Sequence, residues 1–125
     1  MTNTEDMVNS PKHYTGYSMV VEPIIICKEL SFCIGNAVKY IVRAGLKGAP
    51  EKELEDYKKA GYYITAGATE SISETALQVF NIVKDAFPED KRHIIELLLN
   101  ENTMDAYVEV SKKIEELENK FNESK

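Results

Sequence analysis

The 125-residue chain has no tryptophan, only two cysteines, only two histidines and only four prolines. It also lacks any apolar run approaching the ~20 residues that a membrane span requires. Two cysteines are too few for a disulfide framework. Cys27 and Cys33 lie in apolar surroundings, which predicts reduced thiols in or near the core. Neither His13 nor His93 forms a ligand-spaced motif with a cysteine, so no metal site is expected. The opening MTNTEDMVNS is polar and acidic, without the basic start and apolar stretch of a secretory signal. A cytoplasmic protein with no membrane partner is the expectation.

Phosphate-binding motifs are missing as well. AGLKGAP contains Gly45 and Gly48 but not the G-x-x-x-x-G-K-[ST] spacing of a P-loop, and no G-x-G-x-x-G occurs. The E-E-x-x-E pattern of helical pyrophosphohydrolases is not met either. Glu51, Glu53, Glu55 and Asp56 have the wrong spacing, and Glu115-Glu116 is followed by Asn119 where a third glutamate is needed. A nucleotide site would have to be assembled from helix faces and the Lys12-His13-Tyr14 loop.

What is present describes a single helical domain over residues 1–125. Hydrophobic residues make up 43% and charged residues 29%, enough apolar content for one core and too little charge for disorder. The net charge of −6 is uneven. Residues 1–60 hold eight basic and eight acidic side chains, whereas residues 61–125 hold seven and thirteen. Between Lys12 and Lys47 five basic residues face only Glu22 and Glu29. A local positive excess in an acidic protein argues against generic nucleic-acid coating and suits a small anion.

Helix signals recur along the chain. After a loose arm over residues 1–10 and an ordered loop, SPKHYTGYS, a short helix is predicted from Pro23 through IIICKEL. The β-branched run Val20, Val21 and Ile24 to Ile26 leaves a strand as the alternative there. Ser31 is placed to cap the next helix, which should end near Ala44 with Gly45 in the left-handed conformation. Pro50 opens a third helix, with acidic residues in its first turns and lysines after them. Ser71-Ile-Ser-Glu74 matches a capping box ahead of an apolar periodicity over residues 75–87. Pro88 starts another helix, and Asn102 or Thr103 caps the last.

In that last helix Met104, Tyr107, Val108, Ile114, Leu117 and Phe121 are read as one apolar stripe, opposite a face of Glu, Lys and Asn. Such a stripe either covers the core or joins two copies, and a homo-oligomer is expected. The fold class is therefore all-α, a compact bundle of about five to six helices with an ordered N-terminal loop and an amphipathic C-terminal helix.

The chemistry concentrates in CIGNAVKYIVRAGLKG, residues 33–48. At ~100° per residue Asn36, Lys39 and Arg43 share a sector about 60° wide, opposite Ile34, Ala37, Val38, Ile41 and Ala44. Arg43 offers a planar fork for phosphate oxygens and Lys39 a mobile point charge one turn away. Asn36 can donate and accept, as contact with a base or sugar requires. Gly35 leaves room for a ligand or for another backbone. The competing reading pairs Lys39 and Arg43 with Glu51, Glu53, Glu55 or Asp56 of the following helix.

Three stretches, VNSPKHYTG, FCIGNAVKYIVRAGLKG and ELEDYKKAGYYI, occur in that order between residues 8 and 64. Together they resemble the SaV-like family of small bacteriophage proteins, with its N-x-P-x-H-Y arm, F-x-x-G-N-A-x-K-Y-x-x-R-A-G-x-K helix and D-x-x-K-A-x-x-Y helix. The shared polar residues are Asn9, Lys12, His13, Tyr14, Asn36, Lys39, Tyr40, Arg43, Lys47, Asp56 and Lys59. Gly61 stands where a bulkier apolar residue is usual. The acidic extension over residues 65–125 has no counterpart in the pattern.

The resemblance implies a phage protein of the host cytoplasm that binds a nucleotide or other small phosphorylated anion. Because the family includes nucleotide kinases without a P-loop, it also implies a candidate deoxynucleoside monophosphate kinase using a nucleotide phosphoryl donor. His13, Lys39 and Arg43 would then serve catalysis, and Lys12, Tyr14, Asn36, Tyr40 and Lys47 would bind substrate. The alternative is a non-enzymatic protein that engages a host partner through its acidic C-terminal helices.

Overall fold

The computed structural model describes residues 22–46 and 48–123. Among these residues the chain forms six α-helices and no strand: α1 Ile24–Cys27, α2 Phe32–Arg43, α3 Pro50–Ala66, α4 Glu74–Val83, α5 Glu89–Leu99 and α6 Thr103–Glu123. A 3-10 turn over Lys84–Ala86 follows α4. The all-α bundle expected from the sequence is the observed fold. Of the β-branched run, Val20 and Val21 lie outside the described residues; Ile24 to Ile26 form a single helical turn rather than a strand, and that turn stops at Cys27, short of the predicted end.

The middle of the bundle belongs to α2. Ile34, Ala37, Val38, Ile41 and Val42 are all buried on it, and it packs against α1, α3 and α5. α6 lies across α3 and α5, while α4 meets α1. One apolar cluster runs from Ile26 through Ile41, Tyr57 and Ile95 to Val110 and Leu117, so both halves of the chain share a core. Each fully buried isoleucine or leucine contributes about 1.5–3 kcal/mol relative to exposure.

Helix ends follow local chemistry at three of the expected places. Gly45 takes φ +81° just past the C-cap Ala44, Pro50 is the first residue of α3, and Pro88 precedes α5. Two capping expectations are corrected. Ser31 stands at the N-cap of α2, but its side chain makes no cap bond. Glu70, beyond the end of α3, accepts instead from the amides of Cys33 (3.2 Å) and Ile34 (3.0 Å). The cap of α4 is Ser73 rather than Ser71, and Ser73 Oγ accepts from Ala76 N at 3.0 Å.

The apolar stripe of α6 is likewise not one face. Ala106, Val110 and Leu117 are buried with Ile114 packed beside them, whereas Met104, Tyr107 and Val108 are exposed. At ~100° per residue Met104 and Val108 lie more than a quarter-turn from the Val110–Leu117 face.

Two glycines lie where helices meet, and only one of them sets a spacing. A Cβ on Gly67 would lie 2.8 Å from Cys33 Cβ, so the end of α3 reaches the start of α2 only because that position is bare. A Cβ on Gly61 would meet Tyr107 and Val110 of α6 at 3.7 Å, an ordinary contact.

Candidate functional site

α2 presents Asn36, Lys39, Tyr40 and Arg43 half-buried, with Cys33 at its start, while the apolar set turns into the core. Tyr40 is the centre of a cluster of rings and cations. Its ring stacks on Tyr63 of α3, 6.0 Å between centroids and 6° from parallel. Three cations surround it. Lys39 Nζ lies 4.6 Å from the ring centroid, Lys59 Nζ 5.4 Å and Arg43 Cζ 5.7 Å. Each cation–π contact is worth about 0.5–1 kcal/mol at an exposed site. That attraction helps to hold the three positive charges together.

The aromatic surface continues past Tyr40. Tyr63 meets Phe32 edge to face at 6.1 Å and Tyr62 at 5.2 Å. Phe32 and Tyr62 are 72% and 68% exposed, so two rings stand open to solvent beside the cation cluster. The arrangement offers flat apolar area next to concentrated positive charge, the combination that a base with attached phosphates complements.

Charge pairing among the described residues does not consume the cluster. Among the described residues no carboxylate comes within 4 Å of Lys39, Arg43 or Lys59. Glu55, one of the carboxylates proposed as a partner, pairs with Lys52 at 3.1 Å, and Asp56 approaches the same lysine at 4.0 Å. The Lys52 contact and then the more distant charge of Lys59 hold Glu55 below the usual carboxylate range.

Asn36 plays a smaller part than its position promised. Its amide nitrogen donates to Phe32 O at 2.8 Å, one turn back on the same helix. With Lys39 it lines an open hollow of about 300 Å³ between the end of α1 and the start of α2, where Lys28 and Phe32 also contribute. Gly35 at the floor of that hollow serves backbone approach. Its added Cβ would stand 3.4 Å from Cys27 O, and Cys27 Sγ donates to Gly35 O at 3.2 Å.

Both thiols are held toward the protonated form. Burial pushes Cys27 up to about 11, only partly offset by the charge of Lys39. Loss of solvation and the neighbouring Glu70 both raise Cys33. Both cysteines are free, as expected.

Lys12, His13, Tyr14 and Lys47 lie outside the described residues, so the expected arm and the loop lysine are not placed against the cluster. Lys39, Tyr40 and Arg43 are brought together, and Asn36 is adjacent. Two residues of α3 join them: Lys59, one of the polar residues shared with the family pattern but given no role in the site, and Tyr63. Their signal was available in ELEDYKKAGYYI, where they are four residues apart and therefore on one helix face. Among the described residues no group of three or more His, Cys, Asp or Glu side chains converges as a metal site.

No curated protein and no solved structure matches the chain. Residues 8–65, a little under half of its length, match the model of a protein family described as being of unknown function (DUF3310), a stretch that contains Lys39, Tyr40, Arg43, Lys59 and Tyr63 and leaves α4 to α6 outside.

Proposed function

We propose that the protein binds a nucleotide, or a small phosphorylated anion of that kind, on the face where Lys39, Arg43 and Lys59 surround Tyr40. The observation that carries this reading is three cations within 6 Å of one ring, with no carboxylate partner among the described residues. Like charges held so close repel one another, and an anion relieves that repulsion. The phosphates would sit on Arg43 and the two lysines, and the base would lie against the exposed Phe32 or Tyr62 ring.

The likeness of residues 8–64 to SaV-like phage proteins extends the proposal to deoxynucleoside monophosphate phosphorylation, with a nucleoside triphosphate as donor. In such a reaction the cations would stabilise charge on the transferring phosphoryl group, with positioning and electrostatics carrying most of the catalysis. Equilibrium binding of a nucleotide panel to the wild type and to Arg43→Ala tests the site. Micromolar binding that weakens at least tenfold in the variant supports it. Equal affinity in the two proteins, or none below millimolar, rejects it.

One observation favours a second reading, an interaction protein or a homo-oligomer. Met104 (74% exposed), Tyr107 and Val108 form an apolar patch beside a groove between α3 and α6. α6 supplies part of the core, so removing it would unfold the protein; Met104→Glu is the cleaner probe. Loss of a host partner, or of self-association in sedimentation, with nucleotide binding intact would assign the patch a separate role.

A further inference from the structure

Lys91 is only 7% exposed, and among the described residues no carboxylate comes within 4 Å of its ammonium. From α5 it enters the bundle beneath the last turn of α2, where Nζ donates to Val42 O at 3.1 Å and to Ala44 O. Those two carbonyls flank Arg43 in sequence. The last carbonyls of a helix have no partner within it, and they carry the negative end of the helix dipole. A buried cation that holds two of them fixes the turn that projects Arg43. It also fixes the departure of the chain into the loop to α3, where Gly45 and Gly48 both adopt positive φ.

Charged groups on three helices act on this lysine. Asp90 lies on its own helix, in an ion pair with Lys113 of α6 at 2.7 Å. Glu53 and Asp56 act on it from α3. Asp56 is 2% exposed, and its Oδ1 has no hydrogen-bond partner among the described residues. Despite the three carboxylates, burial dominates and brings Lys91 down to about 8, with Lys113 contributing in the same direction. A change of charge state in this lysine therefore falls within an accessible pH range.

Resting on the anion site proposed above, we propose that Lys91 is its positioning residue: the charge on its ammonium group, not only its bulk, locks the last turn of α2 so that Arg43 stays beside Tyr40. Charge-assisted hydrogen bonds are roughly twice as strong as neutral ones. Loss of the proton therefore slackens the turn without emptying the core. This gives residues outside the family match a role in the site within it.

The test measures binding of adenosine triphosphate from about pH 7.5 to about pH 9.5, a range in which its terminal phosphate is largely ionised and its base does not change charge. Wild type, Lys91→Arg and Lys91→Met are compared. The proposal expects wild-type affinity to fall about three- to tenfold with a midpoint near pH 8, while Lys91→Arg changes less than about twofold. A flat wild-type profile, or an equal fall in Lys91→Arg, overturns it. If no triphosphate binds to the wild type at about pH 7.5, the anion site fails instead, and the positioning role is then decided by amide hydrogen exchange. Ala44 N bonds to Tyr40 O and Leu46 N to Arg43 O. Their protection should drop about tenfold in folded Lys91→Met while α6 amides stay unchanged, and unchanged protection at Ala44 and Leu46 overturns the role.

Discussion

Tyr40 of α2 and Tyr63 of α3 lie with their rings 6.0 Å apart and within 6° of parallel. The stack ties together the two helices that carry the cations, because Lys39 and Arg43 belong to α2 and Lys59 to α3. Its loss should therefore be felt in ligand affinity before it is felt in the fold. Aromatic pairs contribute about 0.5–1.5 kcal/mol beyond area burial. Tyr63→Leu is expected to weaken nucleotide binding about three- to tenfold with a modest fall in Tm, and Tyr63→Phe to change neither much. Titration calorimetry together with thermal melts separates the two effects.

Glu70 provides a pH-dependent element of stability. Burial works against its charge, but the bonds from Ile34, Cys33 and Ser31 outweigh that and leave it below the usual glutamate range. A depressed folded-state value means that its contribution is complete above the unfolded-state value and is lost as pH falls through the folded one. Removing a helix cap costs about 1 kcal/mol. Glu70→Gln should lower stability at pH 7 by about that amount and show a shallower loss on acidification than wild type, as read by urea unfolding at several pH values.

Gly61 within α3 and Gly67 at its C-cap make opposite predictions. Gly61→Ala places a methyl group at ordinary contact distance from Tyr107 and Val110 within a helix, and should stabilise by up to about 1 kcal/mol. Gly67→Ala drives its Cβ to 2.8 Å from Cys33 Cβ and 3.0 Å from Ile34 Cδ1, and should destabilise by about 1–3 kcal/mol. Thermal melts of the two variants should move in opposite directions.

Lys91 acts on stability in the opposite sense to its proposed effect on binding. Its folded-state value is about 8 against an ordinary 10.5, so between those limits the unfolded chain holds a proton that the folded one has released. Stability must then rise with pH across that window, and the burial cost is fully present below it. The shift corresponds to a difference on the order of 3 kcal/mol. Unfolding free energy measured from pH 7.5 to pH 10.5 should rise in wild type relative to Lys91→Met, and parallel curves would contradict the assignment.

Much of the fold was legible in the sequence because its signals were local. The apolar spacing of Ile34, Val38 and Ile41, the stop at Gly45, and the prolines at 50 and 88 each act within a turn or two. The errors arose where distant residues decided the outcome. Glu70 caps a helix that begins 38 positions earlier, which no local motif can announce. Ser71 satisfied the S-x-x-E pattern, but two residues later Ser73 had the same freedom and the cap settled there. On α6, a stripe drawn through all the large apolar residues missed Ala106 and Val110, the small ones that pack closest. For the site, the sector of Lys39 and Arg43 could be read from helical angles alone. That Lys59 and Tyr63 share a face was legible too, but their place beside Tyr40 needed the packing of α3 on α2, and Lys91 needed the tertiary fold.

Residue-resolved NMR titration with a deoxynucleoside monophosphate and with adenosine triphosphate tests the central claim most directly. Saturable shifts clustered at Lys39, Tyr40, Arg43, Lys59 and Tyr63, and lost in Arg43→Ala, are the predicted result. Shifts confined to Met104, Tyr107 and Val108, or none at millimolar ligand, would contradict it.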